Sequence, residues 1–276
     1  MDKARITPPT GPPYPPPSAP LGGVPTPIPD IPICAVLITL FTIAGFGHLL
    51  FLRRHILSPP TNRDRPLPPL ILTIFCLLRI TALSLRIAWS AHPGNINLSI
   101  ASTEFTSAGL ALLIILNLIL ARRMVRDYTA IRPSIPLRTC RALMFCVVAC
   151  LAMVISASVD AFFSRDADNL QTGRNVIRVS LVILAVLAAV PSVAVLAVWM
   201  WGEARQGIAR RGALILGVSM LLTLEVGFRC GNAFAAKRVE DPGWINSKAC
   251  YYCFVFLIET VIVYALLVAR LVNGMY

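Results

Sequence analysis

The 276 residues are 57% hydrophobic and only 14% charged, with a formal net charge of +12. A soluble domain carries about 45–50% apolar and about 25% charged residues, so this composition excludes one and implies an integral membrane protein whose first partner is the lipid bilayer. The basic residues fall between apolar blocks and form no run interleaved with aromatics, which argues for membrane-flanking loops and against nucleic-acid binding.

Residues 1–30 hold 11 prolines, including the run "PPTGPPYPPPSAP". Such a tract favours extended polyproline II and cannot bury enough surface to fold, so it is expected to be a disordered extracellular tail. No apolar region precedes a cleavage site, so it does not read as a signal peptide.

Seven apolar stretches follow, at 31–52, 68–89, 98–121, 139–163, 176–201, 212–236 and 249–271. Each is near the ~20 residues that a helix needs to cross ~30 Å of hydrocarbon. The connections are short, so neighbours should run antiparallel. The expected fold is all-α, a single seven-transmembrane-helix bundle over residues 31–276.

Lysine and arginine in the loops set the orientation, because positive loops stay in the cytosol. The first, third and fifth loops hold twelve: Arg53, Arg54, Arg63, Arg65, Arg122, Arg123, Arg126, Arg132, Arg138, Arg205, Arg210 and Arg211. The tail and the even loops hold seven: Lys3, Arg5, Arg165, Arg174, Lys237, Arg238 and Lys248. The amino terminus is therefore expected outside and the carboxyl terminus in the cytosol. Trp89, Trp199, Trp201 and Trp244 fall at span ends or in an outer loop, where amphipathic rings prefer to sit.

The spans also carry Arg79, Arg86, Glu104, Asp160, Arg178, Glu225, Arg229 and Glu259, four basic and four acidic. Each costs roughly 2.5–3.5 kcal/mol at a helix centre, which persists only where the groups face inward and pair or line a wet cavity. Glu225 and Arg229 are four apart and share a helix face. Arg79 and Arg86, seven apart, share another. At ~1.5 Å per residue, Arg79, Glu225 and Glu259 come near the midplane and the others in the outer half. Three readings stay open: a structural network that fixes helix register, a polar cavity in the outer half with Trp244 and Lys248 at its mouth, or a proton relay. Gly227 and Gly231 form a GxxxG that suits close helix approach, and Pro191 suits a kink in the fifth span. The eight cysteines lie in or beside apolar segments and read as packed thiols.

Several classes are excluded. Arg126-Asp127-Tyr128 has the wrong order for the acid-Arg-Tyr motif of rhodopsin-like receptors, and no proline stands near Tyr264. No lysine lies within the seventh span to hold retinal. His48, His55 and His92 are expected at three separate levels, so a metal site like that of a zinc hydrolase is not expected. Neither a catalytic triad nor a phosphate-cradling glycine loop is visible. No enzyme activity and no cofactor is expected.

Certain runs carry a resemblance. They are "DIP" at Asp30–Pro32, "RITALSLRIAW" through Arg79, Arg86 and Trp89, "HPGN" at His92–Asn95, "NLILARR" at Asn117–Arg123, "FRCGN" at Phe228–Asn232 and "DPGWINSKACYY" at Asp241–Tyr252, followed by Glu259 and Tyr264. Through these the chain resembles a family of fungal seven-helix membrane proteins sometimes labelled class C-like G-protein-coupled receptors. Its architecture is also similar to that of fungal lipid-translocating exporters. The resemblance implies a seven-helix integral membrane protein. From the intramembrane charges and the topology, the leading expectation is a receptor-like protein of the plasma membrane that binds a small ligand or lipid, with a cytosolic G-protein subunit as a partner. The alternative is a transporter or lipid translocator using the same intramembrane charges.

Overall fold

The computed structural model describes residues 11–14, 18–57, 67–128, 137–201, 206–235 and 243–273. Six long helices come first: α1 (Pro27–Leu57), α2 (Leu67–Ala91), α3 (Ile96–Tyr128), α4 (Leu137–Phe163), α5 (Ala167–Trp201) and α6 (Gln206–Phe234). The seventh helix is built from three consecutive pieces. An α-helical turn, Lys248–Tyr251, passes into a π-helical stretch, Tyr252–Leu257, and then into the α-helical Ile258–Asn273. Seven helices are long and apolar enough to cross a membrane, so the chain is an all-α, multi-pass integral membrane protein.

Where the helices begin follows from capping chemistry. The Asn95 side-chain oxygen accepts from the backbone N–H of Asn97 at 3.1 Å and of Leu98 at 3.4 Å, satisfying two of the donors that a helix start leaves free. The turn into it is His92-Pro93-Gly94-Asn95, closed by a 3.0 Å bond from Asn95 N–H to the His92 carbonyl. Ser247 opens the seventh helix similarly, accepting from Cys250 N–H at 3.3 Å. In α5 the helix starts nine residues before the expected 176, because Asp166 caps it: its Oδ1 accepts from Asp168 N–H at 3.4 Å. Hydropathy marks the apolar crossing; the cap marks the helix.

The helices pack in chain order around a ring. α1 lies on α2, α2 on α3, and so on to the seventh helix, which returns to α1. α3 also packs on α5 and α6, so it sits innermost. α1 and α4 are the least enclosed and bear exposed apolar side chains such as Phe46, Phe145 and Met153. Such a surface is the one a bilayer wets. Lipid tails are as apolar as leucine, so hydrophobicity cannot drive helix against helix here; close packing and polar contacts must. Phe41 against Phe75 joins α1 to α2 at 6.0 Å, and Phe228 stacks on Phe254 at 4.8 Å between α6 and the seventh helix. Asn117 of α3 donates to the Ser219 hydroxyl of α6 at 2.7 Å.

Two expectations differ from what is found. The first is the tail. Residues 1–10 and 15–17 lie outside the described residues, but 18–30 pack on the bundle. The reason is that proline lacks an N–H yet keeps its carbonyl, so a proline-rich segment can serve buried donors. Asn246 donates to the Ala19 carbonyl at 3.2 Å, and Arg86 to that of Gly22 at 2.9 Å. Pro20–Gly23 form a turn closed at 2.9 Å, with Gly22 at φ 78° as its third residue demands. A Cβ on Gly22 would come within 2.5 Å of the Tyr251 ring, so the segment lies flat on that ring.

The second is the GxxxG. Gly227 faces open space and Gly231 meets only Ile245, at 3.7 Å, so neither glycine sits at a tight helix crossing. Close approach occurs instead at Gly45, against Cys76 of α2, and at Gly109, against Arg79. Pro191 lies within α5, which continues past it to Trp201. All eight cysteines are free.

Candidate functional site: two tiers of buried charge

Both arginines of α2 point inward and define two levels between α2, α3, α6 and the seventh helix. The end of the bundle where α1 begins is called the mouth below.

The mouth tier is organised by Asp30, a residue absent from the expected site. α1 starts around a non-helical Ile28 (φ −120°, ψ 124°), which turns the chain so that Asp30 falls in the first helical turn. Its carboxylate is fully buried. Oδ2 accepts from Lys248 Nζ at 2.5 Å and from Thr26 N–H at 2.8 Å. Oδ1 accepts from the Tyr252 hydroxyl at 2.6 Å and from Arg86 Nε at 3.1 Å, with Arg86 Nη2 at 3.0 Å. Arg86 also donates to the Tyr252 hydroxyl at 3.0 Å, and its guanidinium lies over the Tyr251 ring, 4.4 Å from the centroid. Cys34 Sγ sits 3.2 Å from the Tyr252 hydroxyl. One carboxylate therefore fastens α1, α2 and the seventh helix together. Lys248 also reaches the Thr26 hydroxyl and keeps 24% of its side chain exposed, so it is the open side of the tier.

The deep tier lies seven residues further along both α2 and the seventh helix, about 10 Å down. Arg79 of α2 pairs with Glu259 of the seventh helix, both fully buried. Arg229 pairs with Glu225 one turn away on α6, its Nη2 and Nε 2.9 Å and 3.1 Å from Oε1. The two pairs meet on α3. The Thr106 carbonyl accepts from Arg79 Nη1 at 2.8 Å and from Arg229 Nη2 at 3.5 Å, and the Phe105 carbonyl lies 3.4 Å from Arg79 Nη1. Glu225 and Arg229 are close enough for their charges to act on Glu259.

α3 admits this guanidinium because residue 109 is glycine. A Cβ there would fall 2.5 Å from Arg79 Cζ and 2.6 Å from Nη2. The Phe75 and Phe256 rings flank the same guanidinium at 5.1 Å and 5.6 Å, adding cation–π attraction. Between the tiers the seventh helix runs as its π-helical stretch, a geometry that is rare and frequent at functional sites. Tyr251, Tyr252, Phe256 and Glu259 are all buried along it.

The deep tier is not fully satisfied. Among the described residues, Glu225 Oε2, Glu259 Oε2 and Arg79 Nε have no hydrogen-bond partner. Leaving such an atom buried costs about 1–3 kcal/mol, more for a charged group.

The expected site residues thus divide. Arg79, Glu259, Glu225 and Arg229 come together, and Arg86 and Lys248 join at the mouth. Glu104 does not: it is half-buried on α3 near Ser158 of α4, and neither of its oxygens has a hydrogen-bond partner among the described residues. Asp160 is exposed near the end of α4 and does not join the buried charges. Arg178 serves another purpose. Its Nε donates to the Ala233 carbonyl at 3.1 Å and its guanidinium lies 5.3 Å from the Phe234 ring, so it closes the carboxyl-terminal end of α6. Trp244 lies in the short turn before the seventh helix and is 77% exposed. Sequence reasoning missed Asp30, Tyr252 and the buried His48. An acid opening the first span was the available signal for Asp30.

Against known proteins, no curated protein and no solved structure matches this chain. One family model does, over residues 70–272, a range that holds both arginines of α2 and every other member of the deep tier but leaves Asp30 outside. Because the match covers most of the chain, the protein belongs to the family described as a domain of unknown function, DUF7702.

Proposed function

We propose that the protein is a receptor-like protein of the plasma membrane, amino terminus outside, that binds a small ligand or lipid bearing an acidic group at the mouth tier. The observation that carries this reading is a charge imbalance. Two cations, Arg86 and Lys248, converge on one acid, Asp30. Among the described residues one positive charge is left in excess, on the side where Lys248 keeps 24% of its side chain exposed. A carboxylate or phosphate approaching along the open side of Lys248 would neutralise it. The basic ends of α3 (Arg122, Arg123, Arg126) and the start of α6 (Arg210, Arg211) gather at the opposite end, where the receptor-like reading puts a G-protein subunit.

The test uses protein in nanodiscs of zwitterionic lipid, with phosphatidic acid as the probe. Binding at 100 times Kd stabilises a protein by about 2.7 kcal/mol. The expected result is a clear rise in thermal stability that Lys248→Gln abolishes. Equal stabilisation of both proteins would mean that the acidic lipid meets only the general positive charge of the chain, and would end the proposal.

A second reading, a transporter or lipid translocator, draws support from the depth of the Arg79–Glu259 and Glu225–Arg229 pairs. They continue the line of charge well below the mouth, further than a surface receptor site requires.

A further inference from the structure

Three fully buried side chains able to take up a proton keep atoms that nothing among the described residues satisfies, and they lie along the seventh helix. Two are the deep-tier acids, through Glu225 Oε2 and Glu259 Oε2. The third is His48 of α1, whose Nδ1 and Nε2 are both buried and without a hydrogen-bond partner.

His48 is placed by two separate contacts. Its ring lies beside the backbone of Val263, four residues past Glu259, so about 6 Å further along the helix. Its neighbour Gly47 faces Leu267, with a built Cβ 3.0 Å from Leu267 Cδ1. In the other direction the Tyr252 hydroxyl, bonded to Asp30, lies seven residues before Glu259, about 10 Å away. The titratable groups therefore descend in steps: Asp30 and Tyr252 at the mouth, Glu225 and Glu259 in the middle, His48 below.

A purely structural network has no use for unmet polar atoms at the two lower steps. A leucine at 48 would pack without an unmet polar atom, and a fully satisfied pair would stabilise more. Ionisable groups inside a membrane that retain free acceptors are sites where a proton can land.

We propose that these groups form a proton pathway across the bundle, in which Glu259, supported by Glu225, receives a proton arriving past Tyr252 and passes it to His48, with water filling the intervals. The proton converts the Glu259 carboxylate to the neutral acid. Transfer to neutral His48 restores the carboxylate and gives the imidazolium, and release at the far end restores the imidazole. Only O–H and N–H bonds form and break, and no electrons leave the system.

Arg270 beside His48 opposes charge on the ring, so an imidazolium formed there gives up its proton readily. Arg79 and Cys76 face the line from α2, Glu225 and Arg229 from α6, Cys34 from α1, and Tyr264 and Arg270 from the seventh helix itself. When Glu259 is neutral, Arg79 keeps the Thr106 and Phe105 carbonyls and the two phenylalanine rings, so its charge has somewhere to rest. The pathway does not depend on the mouth binding a guest.

The experiment places the full chain in liposomes that trap a pH-sensitive dye, and drives proton entry with a potassium diffusion potential. The expected result is acidification faster than in protein-free vesicles, falling to the protein-free rate in Glu259→Gln and in His48→Gln. Ser156→Ala, on the exposed face of α4, should retain the wild-type rate. His48→Gln keeps a polar side chain of similar size, so it decides the matter even where Glu259→Gln does not fold. Wild-type vesicles no faster than empty ones would overturn the proposal, as would an undiminished rate in His48→Gln.

Discussion

Glu259→Ala should be the most damaging single substitution in the bundle, lowering stability by about 3–5 kcal/mol. The magnitude comes from the arginine left behind rather than from the lost bond itself. Interhelical hydrogen bonds in membrane proteins contribute only about 0.6 kcal/mol on average. A guanidinium cannot shed its proton, however, so Arg79 would remain charged and fully buried. Its remaining partners on α3 and the flanking rings of Phe75 and Phe256 hold the cost toward the lower end of that range. The reverse change should be milder. In Arg79→Met the stranded group is a carboxyl, which can take up a proton and become neutral. Thermal unfolding of both variants in one detergent should therefore rank Glu259→Ala well below Arg79→Met. The opposite ranking would mean that Arg79 reaches water or lipid headgroups instead of the core.

Asp30→Ala is expected to follow, at about 3–4 kcal/mol, again because of what it strands. Two cations lose their acid, but not equally. Lys248 retains 24% exposure and a flexible stem, so its ammonium can swing to water. Arg86 is almost fully buried and cannot. It would keep only the Gly22 carbonyl, the Tyr252 hydroxyl and the Tyr251 ring. Asp30→Asn preserves an acceptor for Arg86 and Tyr252, so it should cost about half as much. The same substitution should release the amino-terminal segment, since Thr26 and Gly22 are held through Asp30 and Arg86. Proteolysis after Asp30→Ala would then cut within residues 18–26 faster than in the wild-type protein. Equal cutting rates would show that the segment is held by its contacts with Asn246 and Tyr251 alone.

Much of the bundle can be read from composition and spacing, and the particular residues show why reading stops where it does. The apolar runs locate the spans because each must reach the length of the hydrocarbon layer. The four-residue interval between Glu225 and Arg229 puts both on one face whatever the tertiary structure. Which helix lies opposite that face is a different kind of fact. Nothing in the periodicity of α2 says that Arg79 meets the seventh helix, or that a glycine at 109 opens α3 to receive it. Asp30 was hidden by its neighbours: the proline content of residues 1–30 speaks for a tail, while one carboxylate at its end is anchored by partners more than fifty residues away. Arg178 misleads for the opposite reason. Its position in a span suggests an acid partner, but its long side chain reaches a helix-end carbonyl that only the folded bundle presents. Lone small residues are equally ambiguous, as the idle Gly227 shows.

The claim on which the site rests is that α2 and the seventh helix are joined by a buried ion pair. A double-mutant cycle on Arg79→Met and Glu259→Leu, read as unfolding free energies in the same bicelles, measures that pairing directly. The account predicts a coupling close to the sum of the two single losses, at least about 3 kcal/mol, with the double variant close to wild type because both charges leave together. Two independent, additive losses, with the coupling indistinguishable from zero, would contradict it.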